Sequence, residues 1–170
     1  MSERLPDWIA PIPLAEAKKA LAGSVDLAGM PRLKPLLHGP QEAIEVRLQF
    51  GIDDAGIRYL RGTIYGGMVV TCQRCLQAVK VPVQVKLRLG IVEDIDARDR
   101  LPEQYDPLLT TRDPLRLTDL IEDELLLCLP NVPMHDKAEQ CEPPRPLQEA
   151  STEPAKENPF AVLAQLKDKL

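Results

Sequence analysis

Histidine and aromatic residues are scarce in this chain, and each shortage excludes something. The 170 residues include two His, one Trp, two Phe and three Tyr. So few rings predict a core built mainly from aliphatic side chains. With His only at 38 and 135, the Ser-His-Asp and Cys-His arrangements of nucleophilic catalysis are poorly supplied. No phosphate-binding loop, dinucleotide fingerprint, nucleophile elbow or His-Glu-x-x-His pattern occurs. These absences point to a protein that works by binding and is not an enzyme. The first residues, Met-Ser-Glu-Arg-Leu-Pro-Asp-Trp, carry neither an apolar segment nor a cleavage pattern, and no apolar run approaches a membrane span. Four Cys, two of them as Cys-x-x-Cys, suit a reducing compartment better than a disulfide framework. A cytoplasmic protein with no membrane contact is the expectation.

Acid is also missing, from one long stretch. The formal net charge is −5, but it is unevenly spread: residues 1–100 carry 14 Lys/Arg and 12 Asp/Glu, residues 101–170 carry 7 and 14. Between Ala55 and Val92 there is no acid, while Arg58, Arg61, Arg74, Lys80, Lys86 and Arg88 fall inside it. A basic segment ahead of an acidic one can bind phosphate locally whatever the total charge.

The apolar pattern organises the rest. Pro13 to Leu21 reads as a short helix with Pro in its first turn, ended by Gly23. Ile44, Val46, Leu48 and Phe50 alternate with Glu45, Arg47 and Gln49, the mark of a half-buried strand. Asp53-Asp54-Ala55-Gly56 predicts a turn into a second strand, Ile57 to Tyr65. Gly66-Gly67 predicts another turn before a third, Met68 to Cys72. Lys80 to Ile91 alternates again, with one apolar and one basic face, and Pro82 favours an edge position. Residues 93–113 look acidic and irregular. Leu117 to Leu129 reads as a helix closed by Pro130. The expected fold is α+β: an antiparallel, partly barrel-like sheet with flanking helices and a mobile C-terminal tail. Its expected division is one domain over 1–141, a disordered Pro- and Glu-rich linker over 142–157, and a short helix motif over 158–170.

Four constellations could carry chemistry. Cys72-Gln73-Arg74-Cys75 is a thiolate pair able to grip one side of a tetrahedral zinc ion, and His135 with Cys141 could close a site of three Cys and one His. A redox pair and plain unligated thiols are the alternatives. The redox reading suits a helix start, whereas the flanking residues here suit a β-turn. Cys128, inside a Leu-rich run, reads as a core residue. On the helix, about 100° per residue places Glu124 inside the apolar arc and Asp119, Glu122 and Asp123 opposite it. Glu124 is therefore expected to be a structural carboxylate in need of a partner, with Arg74 a candidate. On the second strand Tyr59, Arg61, Thr63 and Tyr65 share a face. Such interleaving can stack bases and touch phosphate, or be an ordinary exposed face. The candidate RNA contacts are Arg58, Tyr59, Arg61, Tyr65, Arg74, Lys80, Lys86 and Arg88. Finally, Asn158 and Pro159 open a segment in which Phe160, Leu163, Leu166 and Leu170 recur at helical spacing, a candidate docking helix for a partner.

Three blocks in one order resemble a known family. Cys72-Gln73-Arg74-Cys75-Leu76 lies between two strands. Glu122-Asp123-Glu124-Leu125-Leu126-Leu127-Cys128-Leu129-Pro130 is followed by Val132, Pro133, His135, Asp136 and Cys141. The chain then runs Asn158-Pro159-Phe160-Ala161-Val162-Leu163-Ala164-Gln165-Leu166-Lys167. Together these resemble the bacterial YceD family, the large ribosomal RNA subunit accumulation proteins. The resemblance spans roughly residue 43 onward. It implies a cytoplasmic role in synthesis, processing or stability of 23S rRNA, without known catalytic residues; relatives with more Cys after the long helix look like zinc binders. The expected function is thus a non-enzymatic ribosome biogenesis factor. Its expected partners are precursor or mature 23S rRNA, large-subunit ribosomal proteins, or both. The rival readings are a protein-only adaptor or chaperone for a basic ribosomal protein, and a thiol- or zinc-dependent enzyme.

Overall fold

A computed structural model describes residues 5–110 and 114–141. The linker over 142–157 and the segment over 158–170 lie outside the described residues. In chain order the elements are β1 (Trp8–Ile9), α1 (Pro11–Glu16), β2 (Ala20–Val25), β3 (Ile44–Ile52), β4 (Arg58–Thr71), β5 (Ala78–Val92), α2 (Ile95–Arg98), β6 (Asp106–Leu109), β7 (Leu115–Arg116) and α3 (Leu117–Cys128).

The alternation in β3 does what it predicts. Ile44, Val46, Leu48 and Phe50 are buried, while Glu45, Arg47 and Gln49 face solvent. Asp53 makes the turn into β4, its Oδ1 accepting from the N–H groups of Ala55 and Ile57. β4 and β5 then pair without a break from Tyr59↔Gly90 to Thr71↔Ala78. The inner face of the sheet carries Leu60, Ile64, Met68, Val83 and Leu87; α1 packs on β3 and β4 through Ala15 and Leu14, and α3 packs on β5, adding Leu117, Leu120, Ile121 and Leu125 to the core. Leu27, Met30 and Leu33, from the short turns after β2, fill the remaining space. The outcome is a two-layer α+β arrangement: one open sheet, one apolar face covered, the other covered only where Leu101 and Tyr105 lie over Gly90 and Tyr59.

Several expectations are corrected. The sheet does not close into a barrel: its order is β2-β3-β4-β5-β6, and β2 and β6 are its two edges. Closure would bury the inner face by joining the edges; here α1, α3 and the 27–36 turns bury it instead. The sheet is also not wholly antiparallel, because β6 runs parallel to β5 at Leu89↔Asp106 through Val92↔Leu109. That strand and α2 lie in the stretch expected to be irregular. The helix expected over Pro13 to Leu21 stops at Glu16, and Gly23 sits within strand β2, paired with Val46. Gly66-Gly67 is no turn. It lies mid-strand in β4, where a Cβ would meet Ile44 Cδ1 at 2.8 Å or Lys80 Cε at 2.6 Å, so these glycines permit close approach. The proline reading is right in part: β6 covers β5 only at 89–92, and Pro82 lies in the uncovered stretch.

Glu124 is a further correction. It is half-buried and makes no hydrogen bond or ion pair among the described residues; burial, then Asp106 and Asp123, push its carboxyl above the usual range. The buried carboxylate of α3 is Glu122, 1% exposed. Its Oε1 accepts from the backbone N–H of Arg32 at 2.7 Å and of Leu33 at 2.9 Å, and its Oε2 from Arg32 Nε at 3.0 Å. The segment carrying Arg32 packs on the flank of α3 that helical periodicity assigns to solvent. That is why Glu122 is covered, while Leu127, placed in the apolar arc, is 81% exposed.

Candidate metal centre and basic face

The Cys pair occupies the turn between β4 and β5, as a β-turn reading requires. Two backbone bonds fold it: Leu76 N–H to the Cys72 carbonyl at 2.9 Å, and Cys72 N–H to the Gln77 carbonyl at 2.8 Å. They hold Leu76 in the left-handed region at φ 62°, which lets the chain double back with both thiols on one side. Chain from beyond α3 arrives opposite, where Gln73 N–H donates to the Pro133 carbonyl at 2.8 Å. This contact brings His135 and Cys141 to the pair.

The ligand atoms of Cys72, Cys75, His135 and Cys141 all lie within 4.8 Å of one another. Cys72 Sγ is 4.0 Å from Cys141 Sγ, and His135 Nδ1 is 3.6 Å from Cys75 Sγ and 3.4 Å from Cys141 Sγ. A tetrahedral site of three sulfurs and one nitrogen, with metal–sulfur bonds of about 2.3 Å and a metal–nitrogen bond of about 2.0–2.1 Å, has edges of about 3.8 and 3.6 Å. The cluster therefore fits a metal ion. Its surroundings fit too. His135 Nε2–H donates to the Ala78 carbonyl at 3.1 Å, which leaves the Nδ1 lone pair turned toward the thiols. Arg74 does not reach Glu124. Its Nε donates to Cys141 Sγ at 3.1 Å and its other nitrogen to the His135 carbonyl at 2.9 Å, so a guanidinium stands beside one thiolate and ties down the loop that carries it. Burial pushes the Cys72 thiol up, but the N–H groups of Cys75, Arg74 and His135 outweigh it and bring it down to about 5. Burial and the neighbouring thiols push Cys75 up. Cys128 stays outside the cluster, half-buried against the core.

The outer face of the sheet is a register grid. One row reads Ala20, Gln49, Arg61, Arg88 across β2 to β5; the next reads Ala22, Arg47, Thr63, Lys86; a third reads Ser24, Glu45, Tyr65, Gln84. The first two rows border a shallow trough of about 500 Å3 that no acid lines. Lys86 and Arg88 make no ion pair among the described residues, and Arg47 lies 3.9 Å from Glu45 at the margin. Arg61 rests over the Tyr59 ring at 4.5 Å and donates to the Tyr105 hydroxyl at 2.8 Å. Tyr105 in turn donates to Asp53 at 3.0 Å.

Thus Arg61, Lys86 and Arg88 come together, and Tyr59 lies beneath Arg61. The other expected RNA contacts are elsewhere or engaged. Arg58 bridges Glu16 and Glu93, Lys80 pairs with Glu42 at 2.8 Å, Tyr65 donates to Glu45, and Arg74 belongs to the thiol cluster. Arg47 was missed because it lies outside the acid-free stretch. The alternation of β3 already places it on the outer face, and only the register brings it to Lys86. Asn158, Pro159, Phe160, Leu163 and Leu166 lie outside the described residues. No helix among the described residues is long and apolar enough to cross a membrane.

Comparison with known proteins agrees with the motifs. The family model described as Large ribosomal RNA subunit accumulation protein YceD matches residues 60–167. The Haemophilus influenzae protein named Large ribosomal RNA subunit accumulation protein YceD is 32% identical over 171 residues, covering 98% of each chain. No solved structure matches. With more than half of its length matched by the family model and nearly all of it aligned to this relative, the chain belongs to the YceD family.

Proposed function

We infer that this protein is a non-enzymatic ribosome biogenesis factor that supports synthesis, processing or stability of 23S rRNA by contacting the RNA directly. The observation that carries this reading is a trough on the outer face of the sheet lined by Arg47, Arg61, Lys86 and Arg88 and by no acid. The family's name ties its members to large-subunit RNA; the patch supplies a means. Lys86 and Arg88 have no ion-pair partner among the described residues, while Arg47 and Arg61 are held by Glu45 and Tyr105 at the rim; binding of such cations to phosphates falls with salt as counterions are released. The acidic half of the chain limits nonspecific adhesion to RNA. Residues 158–170 are assigned to docking on a large-subunit ribosomal protein bound nearby.

The ion assigned to the cluster is zinc. Three soft thiolates and an imidazole at tetrahedral spacing suit it better than hard cations. Its role here is structural: it joins the β4–β5 turn to the chain beyond α3, and all four protein ligands close the coordination shell. Elemental analysis of protein purified without chelator should find about one zinc per chain. Less than a tenth of an equivalent would leave four unligated groups.

The RNA contact is tested by reversing charge at Arg61, Lys86 and Arg88 together and measuring association with 23S rRNA fragments at several salt concentrations. The folded variant should bind more weakly, with a flatter salt dependence. Unchanged binding refutes the assignment. Binding to ribosomal proteins without any binding to RNA would favour the protein-only adaptor.

A further inference from the structure

The rings and cations of the outer face bear on which form of RNA it could meet. Single strands are held chiefly by exposed rings on which bases stack, at about 1–3 kcal/mol per base. Three Tyr approach this face; two are covered, and the third, Tyr65, is 39% exposed but stands outside the trough. Tyr59 lies against Gly51, where a Cβ would stand 2.6 Å from its hydroxyl, and Arg61 covers its ring. Tyr105 is 5% exposed. Tyr65 stands a row beyond the patch with its hydroxyl given to Glu45 and the Arg47 guanidinium 5.6 Å over its ring.

What the face does offer is charge in a fixed array. Neighbouring strands lie about 4.8 Å apart and same-face residues about 6.7 Å apart along a strand. Arg61 and Arg88 are direct cross-strand partners, and Arg47 and Lys86 flank Thr63 in the next row. Like charges directly opposite one another destabilise a sheet; Asp53, through Tyr105, and Glu45 partly offset Arg61 and Arg47, but Lys86 and Arg88 have no ion-pair partner among the described residues. An external run of phosphates would supply one. Between the cations, Gln49 and Thr63 supply amide and hydroxyl groups, and Ala20 and Ala22 keep the β2 side low. A shallow surface of cations and small polar groups matches the wide, shallow minor groove of A-form RNA, with its 2′-hydroxyls and bordering phosphates.

We propose that this face binds double-helical RNA through its sugar–phosphate backbone, largely without regard to sequence. The proposal rests on the RNA-contact reading above and narrows it to one class of RNA.

The test uses the full chain and fluorescence anisotropy. The probes are an RNA duplex of about 16–20 base pairs and one of its strands, chosen not to pair with itself, each titrated between about 50 and 200 mM salt. The duplex should bind at least about tenfold tighter, with a log–log salt slope of about −3 to −4 for four phosphate contacts. Lys86→Gln and Arg88→Gln, which remove charge without reversing it, should each reduce that slope by about one. Circular dichroism and melting confirm that both variants fold. Equal or tighter binding of the single strand overturns the duplex inference and leaves the RNA reading intact. Failure of the folded chain to bind either probe overturns both. Unaltered slopes in the two variants overturn the placement of the contact on this face.

Discussion

Replacing Glu122 tests the account of how α3 is held to the rest of the molecule. The carboxylate is 1% exposed and accepts three hydrogen bonds, two from the backbone of Arg32 and Leu33 and one from the Arg32 side chain. In Glu122→Gln the amide oxygen can keep the two backbone donors, but the amide nitrogen then faces Arg32 Nε–H, donor against donor. One charge-assisted bond is lost, a cost of about 2–3 kcal/mol. Glu122→Ala removes all three acceptors and leaves two N–H groups and a void, about 3–5 kcal/mol. At roughly 3–5 °C per kcal/mol for a domain of this size, Tm should fall on the order of 10 °C in Glu122→Gln and further in Glu122→Ala. The pH dependence sharpens the test. Burial pushes the Glu122 carboxyl up, but the Leu33 N–H and the Arg32 side chain and N–H outweigh it and hold the folded pKa below the ordinary value. Stability from this group is therefore complete above the unfolded pKa of about 4.3 and is lost as pH falls through the folded value. Thermal melts at pH 7 and at steps down to about pH 3 should show the gap between the wild type and Glu122→Gln closing only in the acid range. A gap of under about 2 °C at pH 7, or one that stays constant into acid, would refute the reasoning.

Three further outcomes follow from the same geometry. Arg74→Gln should keep the fold but weaken metal retention about 10–100-fold in chelator competition, because the guanidinium beside Cys141 and the tie to the His135 carbonyl are lost; unchanged retention would remove Arg74 from the site. Glu124→Gln should leave Tm unchanged or slightly raised at pH 7, since it neutralises a half-buried carboxylate that has no partner among the described residues and whose pKa burial, Asp106 and Asp123 raise; a marked drop in Tm would show a partner. Deleting residues 158–170 should leave Tm within about 2 °C of the full chain and reduce association with ribosome precursors, whereas a drop of several kcal/mol in stability would place those apolar side chains in the fold.

Much of the fold was legible because β3 and β5 alternate apolar and polar residues with period two, and because Leu117 to Cys128 repeats at helical spacing. The Cys pair was legible as a turn from its flanks, and its partners from their being the remaining His and Cys beyond the helix. Other features had no local signal. β2 is Ala-Leu-Ala-Gly-Ser-Val, a string with no alternation to read. It becomes a strand because β3 offers an edge. The burial of Glu122 depends on Arg32 and Leu33, 90 and 89 positions away, and helical periodicity alone pointed to Glu124. The patch of cations was half visible: composition picked out Arg61, Lys86 and Arg88, but Arg58 and Lys80 shared the same stretch and proved to be ion-paired.

The contacts that close the molecule join distant parts of the chain, and this sets the order in which it can fold. Trp8 pairs with Arg116, Arg32 meets Glu122 across 90 positions, and Cys72 meets Cys141 across 69. The β3–β4–β5 meander, by contrast, closes over two short turns. Long loops cost more entropy to close, so the meander forms first and the ends join late. Until α1, α3 and the 27–36 turns dock, Leu60, Ile64, Met68 and Leu87 stand bare on one side of a paired sheet, a surface that invites self-association. On the zinc proposal, metal capture, which needs residue 141 beside residue 72, would come at the end of that sequence and seal it. Cells starved of the ion during synthesis should accordingly accumulate this chain as aggregate, while chain that has already matured stays dispersed.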